Sequence, residues 1–156
     1  MRIEPADPCD PAAAGLLDRL SDALEAITGD SGRASFDPLD VQGVGASFVL
    51  AYDDRGRPIG CGAYRPLVEG VAELKRMFAL PGSKGVGAAV LAHLEARAQA
   101  DGYRELWLET RLVNDRAVRF YHKNGYRRIS NFGKYAGRPE AVCFAKILAE
   151  PVSRRA

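Results

Sequence analysis

The stretch ELKRMFALPGSKGVGAAVLAHLEARAQ, Glu73 to Gln99, decides how this chain folds, because it passes from strand to glycine turn to helix with almost no spare residue. Val71 to Phe78 has strand composition, and Pro81 and Gly82 stop it. Gly85 and Gly87 then bracket the start of a helix in which Val90, Leu94 and Ala98 recur at i, i+4. The first amides of a helix have no internal partner, and the macrodipole puts partial positive charge there. Glycine, in turn, carries no Cβ to hold a ligand oxygen off the backbone. The turn is therefore either an anion site or a plain connection in which the glycines serve only the backbone. Two common phosphate loops are excluded. No Lys-Ser or Lys-Thr pair follows a glycine as a P-loop requires, and Val90 stands where a dinucleotide fingerprint needs its third glycine.

The next segment favours the anion site. GYRELWLET and then NDRAVRFYHKNGY follow at once. Here the chain resembles the GCN5-related N-acetyltransferase (GNAT) superfamily, which carries a strand, a loop [QR]-x-x-G-x-[GA], a helix, a strand and N-x-x-A-x-x-F-Y-x-x-x-G-[FY]. Asn114, Ala117, Phe120, Tyr121, Gly125 and Tyr126 fill the second pattern, and the resemblance runs from about Ala46 to Leu148. Gly82 stands where the loop has Gln or Arg, which removes a side-chain contact to a pyrophosphate and leaves the backbone amides from Gly82 to Ala88 to hold it.

At 156 residues with 47% apolar content, one domain with a sizeable core is expected, drawn over residues 1–150 with a frayed tail at 151–156. Twenty-two basic against 20 acidic residues give a net charge of +2, too balanced for a nucleic-acid binder. No run approaches the roughly 20 apolar residues that span a bilayer, and the start of the chain is not shaped as a signal peptide, so a cytoplasmic protein is expected. Cys9, Cys61 and Cys143 match no metal or redox spacing and read as free thiols, the last two buried. His93 and His122 lack ligand-spaced partners, so no metal is expected.

In chain order, Met1 to Pro5 reads as an edge strand. A helix follows from Asp10, as capping carboxylate, and Pro11 to about Thr28, closed by Gly29. Asp30 to Gly45 has no periodicity beyond a turn at Pro38 to Val41 and forms a wall over a substrate site. Ala46–Tyr52 and Pro58–Tyr64 form an antiparallel hairpin. The helix Val86–Ala100 crosses to the strand Glu105–Thr110, which makes that strand parallel to Val71–Phe78. A helix capped by Asn114 or Asp115 follows. The strands Tyr126–Ile129 and Ala141–Leu148 then flank a loop, Ser130 to Glu140, that carries Phe132, Tyr135 and Arg138. The fold class is α+β, a mixed, mostly antiparallel sheet with a central parallel pair and helices on both faces.

The resemblance implies acetyl-CoA as acyl donor and a small-molecule amine as acceptor; for protein partners the expectation is a homodimer. Backbone groups of Met77, Phe78 and Ala79 would pair with the pantetheine arm. Gly82, Ser83, Lys84, Gly85, Val86, Gly87 and Ala88 would hold the pyrophosphate. Asn114 would bond the cofactor or cap its helix. Tyr121 matches the family's general acid; otherwise it is a core aromatic beside Phe120 and Tyr126. Glu73 stands at the family's general-base position, or forms a salt bridge to Lys75 or Arg104. Arg111, Tyr135 and Arg138 would rim the acceptor site. Two alternatives remain: a non-catalytic acyl-CoA-binding module, which Gly82 keeps open, and a transferase acting on protein amines.

Overall fold

The computed structural model describes residues 1–148, so the tail at 151–156 and the last residues of the domain drawn to 150 lie outside the described residues. In order come β1 (Arg2–Pro5), α1 (Pro11–Thr28), β2 (Ser47–Tyr52), β3 (Pro58–Val68) and β4 (Val71–Ala79). Then follow α2 (Val86–Ala100), β5 (Glu105–Arg111), α3 (Asp115–Lys123), β6 (Arg127–Ile129) and β7 (Ala141–Ile147). Short 3-10 turns occupy Arg33–Ser35, Pro38–Val41 and Gly133–Tyr135. The seven strands form one sheet in the order β1-β2-β3-β4-β5-β7-β6, antiparallel throughout except for β4 and β5. α1 packs on one face, over Phe48, Leu50, Cys61 and Ala63. α2 and α3 cover the other, over Val49, Tyr64, Ala72, Leu74 and Leu106.

α1 spans the residues the sequence indicates, but its start is held differently. The carboxylate of Asp10 makes no capping hydrogen bond; Pro11 supplies the helical φ in advance, and the Asp10 carbonyl accepts the first bond from the Ala14 amide at 2.8 Å. At the other end Gly29 is left-handed, with φ 81°, and its amide bonds Glu25.

β3 runs four residues beyond the expected Tyr64, through Pro66. The proline argues against a strand interior because it gives no amide to a ladder. Pairing with β2 begins at Ser47 opposite Tyr64, however, so past that point β3 has a partner on one side only. The extension places Arg65 directly across from Glu73.

β4 carries one residue too many. Cys61 faces Phe78 and Ala63 faces Lys75, so Arg76 and Met77 together oppose Gly62. Arg76 has φ 55°, the sole non-glycine residue with positive φ among the described residues, a conformation that costs about 1–3 kcal/mol. The bulge is pinned from two sides. The Arg76 guanidinium donates to Ser21 Oγ at 2.6 Å and to the Leu17 carbonyl on α1 and lies over the Phe36 ring, while the Cys61 thiol donates to the Arg76 carbonyl. Across the other edge, β4 pairs with β5 only from Val71–Glu105 to Glu73–Trp107. Beyond Glu73 the two strands separate and a cleft opens between them.

α2 lies close to the sheet because β3 presents glycine beneath it. A Cβ on Gly60 would sit 2.6 Å from Val86 Cγ1 and 3.1 Å from the Phe78 carbonyl. Gly60→Ala should therefore destabilise by about 1–3 kcal/mol through overpacking. Gly15, in the interior of α1 with nothing within 4 Å of its would-be Cβ, gives the opposite sign: Gly15→Ala should stabilise by about 0.5–1 kcal/mol. Urea midpoints, lowered in the first and raised in the second, check both.

Candidate active site

Where β4 and β5 part, a cavity of about 170 Å³ reaches from the α1 face to Tyr121 and Asn114 on α3. Leu20, Leu24 and Phe36 make its apolar wall, Met77 and Leu108 line its floor, and charged side chains from β4, β5 and the β6–β7 loop line the rest.

The glycine turn sits at the α2 end of β4. Ser83 closes it, with its hydroxyl and its amide both donating to the Leu80 carbonyl. Gly82 and Gly85 are left-handed at φ 85° and 73°, with open space where a Cβ would point, so glycine is required there by the backbone. Gly87 has an ordinary φ, and a Cβ there would make ordinary contact with the Phe120 ring at 3.5 Å, so neither the backbone nor the packing against α3 requires glycine at this position. The first bond of α2 runs from the Ala89 amide to the Gly85 carbonyl, which leaves the amides of Val86, Gly87 and Ala88 ahead of the helix ladder. Lys84 is exposed beside them. Met77 and Ala79 send their side chains into the α2-face core and Phe78 into the α1-face core, so the stretch meets the cleft with its backbone.

Tyr121 is 8% exposed, in edge contact with the rings of Phe120 and Tyr126, and it lines the cavity. Its hydroxyl makes no hydrogen bond among the described residues, and burial pushes its pKa above the ordinary phenol value, so it holds its proton. Asn114 caps α3, its Oδ1 accepting from the Ala117 amide at 3.2 Å.

Glu73 is 1% exposed and both of its oxygens are engaged. Oε1 accepts from Arg65 Nε at 3.0 Å, with Nη2 in ion-pair contact at the same distance, and Oε2 accepts from the Tyr135 hydroxyl at 3.0 Å, with Lys75 Nζ at 3.8 Å. The ion pair expected with Lys75 is present. The alternative partner Arg104 instead packs against Gly70. Arg65 was hidden because the sequence ends β3 at Tyr64; the hairpin closed at Gly70, followed outward through Pro66, would have paired it with Glu73.

Glu109, on β5, is the residue the sequence reading passed over. It lines the cavity, its side chain is 17% exposed, and its nearest cation is Arg111 at 3.9 Å. Burial raises its pKa above the ordinary carboxylate range, and the Glu73 charge adds to this, while Arg111 and Lys75 oppose. The signal lay in the register: Glu73 pairs with Trp107, so β5 positions in step with Trp107 share the Glu73 face.

Of the three rim residues, Arg111 reaches across to Asp30 at 3.0 Å and ties β5 to the segment after α1. Tyr135 is buried and its hydroxyl also accepts from Lys75 at 3.3 Å, so it anchors its loop rather than facing a ligand freely. Arg138 is exposed, lines the cavity and forms no ion pair among the described residues. Among the described residues no group of three or more His, Cys, Asp or Glu is placed to hold a metal, and no helix is long and apolar enough to cross a membrane.

With this geometry in view, the comparisons with known proteins are specific. The sequence pattern of the Acetyltransferase (GNAT) family matches residues 16–126. Uncharacterized N-acetyltransferases of Mycobacterium tuberculosis and Mycobacterium bovis are 39% identical over 84 residues, which is 51% of this chain and 52% of theirs. The chain thus spans about half the length of the curated relatives it matches. A Klebsiella pneumoniae structure assigned as an acyl-CoA N-acyltransferase superposes with a TM-score of 0.80 at 27% identity, covering 95% of this chain and 97% of that one. An aminoglycoside 6'-N-acetyltransferase in complex with coenzyme A shares the fold, with a TM-score of 0.67 at 17% identity over 97% of this chain and 99% of that one.

Because Glu73 neutralises Arg65 and Lys75 together, Glu73→Gln leaves two cations beside a neutral amide. The expected loss is about 3 kcal/mol, at the low end for breaking a buried pair because Arg65 still reaches water. Tyr135→Phe removes one hydrogen bond and keeps the ring, for about 1 kcal/mol. Denaturant midpoints should order the two variants in that way.

Proposed function

The chain belongs to the GNAT acetyltransferase family, and from that premise we propose that it transfers an acetyl group from acetyl-CoA to the amine of a small, amino-acid-like molecule. The observation that carries this reading is the parting of β4 from β5 beyond Glu73, with Tyr121 lining the cavity there and α2 beginning a short turn past the end of β4. The residues present fit a coenzyme A thioester. The β4 backbone from Lys75 to Ala79 has no strand partner on its β5 side and offers a ladder to an amide-bearing arm. The leading amides of α2, with Lys84 beside them, suit a pyrophosphate. Gly82 contributes backbone only. The Phe78 amide expected at the thioester oxygen lies opposite Cys61, in step with the Leu80–Ile59 bond, and so turns toward β3. The amides of Met77 and Ala79 alternate to the cleft side, and one of them is assigned to that oxygen, where such a donor is typically worth about 3 kcal/mol. Asn114 keeps its capping bond and offers its amide nitrogen to the same ligand.

Acetyl-CoA supplies the activated acyl carbon, and the chain handles the two protons. As the amine nitrogen bonds to that carbon and the carbon–sulfur bond breaks, the departing sulfur takes the Tyr121 proton and the ammonium proton goes to a cavity carboxylate, which then returns it through water to the Tyr121 phenolate. Proton transfer from a phenol to a thiolate is uphill by roughly 2 kcal/mol from ordinary pKa values, and burial of Tyr121 adds to this, a cost that collapse of the tetrahedral intermediate offsets. The sequence points to Glu73 as the carboxylate. Its oxygens are held by Arg65 and Tyr135, so we assign the proton to Glu109, whose raised pKa brings it closer to an amine. Glu73 then acts as a strut for the cavity wall. The cytoplasm, which holds the acetyl-CoA pool, is the compartment this reading implies.

Tyr121→Phe should lower kcat by about 10² to 10⁴ with acetyl-CoA affinity nearly unchanged. Thiol release and isothermal titration read the two quantities separately. Equal kcat under chemistry-limited conditions would remove Tyr121 from the mechanism. Wild-type kcat/KM should climb with pH as Glu109 loses its proton, with the limb displaced upward from the ordinary carboxylate range, and Glu109→Gln should abolish that limb. Acetyl-CoA binding with no thiol release above hydrolysis, for any amine offered, would leave an acyl-CoA-binding module.

A further inference from the structure

We propose that the acceptor is a small zwitterion, an apolar α-amino acid or a close analogue, whose carboxylate is clamped by Arg138 and whose side chain lies on the α1 wall. The inference rests on the transferase reading and adds the acceptor's charge and shape.

The charge balance of the cavity points this way. Its carboxylates are Asp30, Glu73, Glu109 and Glu140, and its cations are Lys75, Arg76, Arg111 and Arg138. Glu73 is matched by Lys75 and by Arg65 from outside the lining, and Asp30 is matched by Arg111. Arg76 and Arg138 have no carboxylate within ion-pair distance among the described residues, and Arg76 is turned toward α1 by Ser21 and Leu17. Glu140, the fourth carboxylate, also forms no ion pair among the described residues, so the charges left open to a ligand are Glu109 at the reaction centre and Arg138 and Glu140 on the rim loop. Arg138 is the open cation of the lining among the described residues, and a ligand whose ammonium meets Glu109 can set its own carboxylate against it, which a polyamine or aminoglycoside, carrying no anion, cannot. Size agrees, since about 170 Å³ is below the roughly 300–1,000 Å³ of drug-sized sites.

Arg138 is also held in place by its backbone. The Asn131 side-chain amide donates to the carbonyls of Tyr135, Arg138 and Ala141, which staples the loop on itself. The Tyr135 hydroxyl then fastens the loop to Glu73 on β4. A guanidinium carried on a loop fixed at both points loses less freedom on binding than one on a free loop, and its fork suits a carboxylate. Leu20, Leu24 and Phe36 line the same cavity from the α1 side with apolar surface, and the Arg76 guanidinium beside them is taken up by Phe36, Ser21 and Leu17.

The test is acetyl-CoA-dependent thiol release with matched acceptors: leucine, methionine and phenylalanine against the amines left by their decarboxylation, with spermidine and kanamycin alongside. The amino acids should exceed their amines at least about tenfold in kcat/KM. Arg138→Gln should raise KM for the amino acids by about 10- to 100-fold with kcat kept, leave the amines unchanged, and so collapse the preference. Arg138→Lys should restore part of it. Amines, spermidine or kanamycin turned over as well as the amino acids, or an Arg138→Gln loss shared by both sets, overturns the clamp and leaves the transferase reading standing. No release with any compound, from protein that still binds acetyl-CoA, overturns the transferase reading and this inference with it.

Discussion

The guanidinium of Arg76 on Ser21, Leu17 and Phe36 is the contact on which the site depends, because it holds an extra residue in the middle of β4. Were Arg76 paired as an ordinary strand residue, the alternation of β4 would run on unbroken. Met77 and Ala79 would then face α1, and Phe78 would face α2, the reverse of where the two cores need them. The bulge lets one strand serve two faces in two registers. Its left-handed backbone costs energy at Arg76, and the bonds offsetting that cost come from α1 and from the Cys61 thiol, which is fully buried with its pKa raised to about 12 by burial. α1 is thereby tied to the strand that lines the cleft. It forms the cavity wall and helps keep that strand in shape.

A second constraint lies one turn of pleat away. Burying a carboxylate is costly unless it is matched, and Glu73 is matched by groups from three places: Arg65 on β3, Lys75 on its own strand and Tyr135 on the β6–β7 loop. What such a cluster gives is definition rather than net stability, because the same volume of apolar side chain would cost less to bury. It fixes where the loop lies and, with it, where Arg138 stands. The two acidic residues of the cleft thus divide by environment: Glu73 is saturated with donors, and Glu109 is desolvated with one distant cation. The same logic separates the tyrosines, with the Tyr135 hydroxyl engaged in structure and the Tyr121 hydroxyl open to the cavity.

Much of this was legible along the chain. Strand, glycine turn and helix at Val71 to Ala100 are local matters of composition and periodicity, and the Asn114 to Tyr126 pattern follows at fixed spacing, so the elements stand where the residues put them. The central parallel pair also follows from a strand-helix-strand crossover. Phe120 seated on Gly87 is the contact that joins the two motifs in space, and both residues were in view as sequence. The misreadings share a cause. Pro66 breaks a strand only where a neighbour needs its amide, and β2 has ended there. Asp10 looks like a cap, but the Pro11 backbone already sets the helix start.

The sequence by itself determined the elements, their order, the glycine turn at the helix start and the candidate acid Tyr121, because these depend on neighbours within a few positions. Only the tertiary structure decided which carboxylate is held and which is open. Glu73 and Glu109 are equally plausible as letters. The difference between them is made by a cross-strand partner eight residues away and a tyrosine 62 residues away, through hydrogen bonds that exist only after the sheet has chosen its register and the β6–β7 loop has closed over it. Ionic and hydrogen-bonded matching acts over a few ångströms in space regardless of separation in the chain, so it cannot be read until the chain has folded.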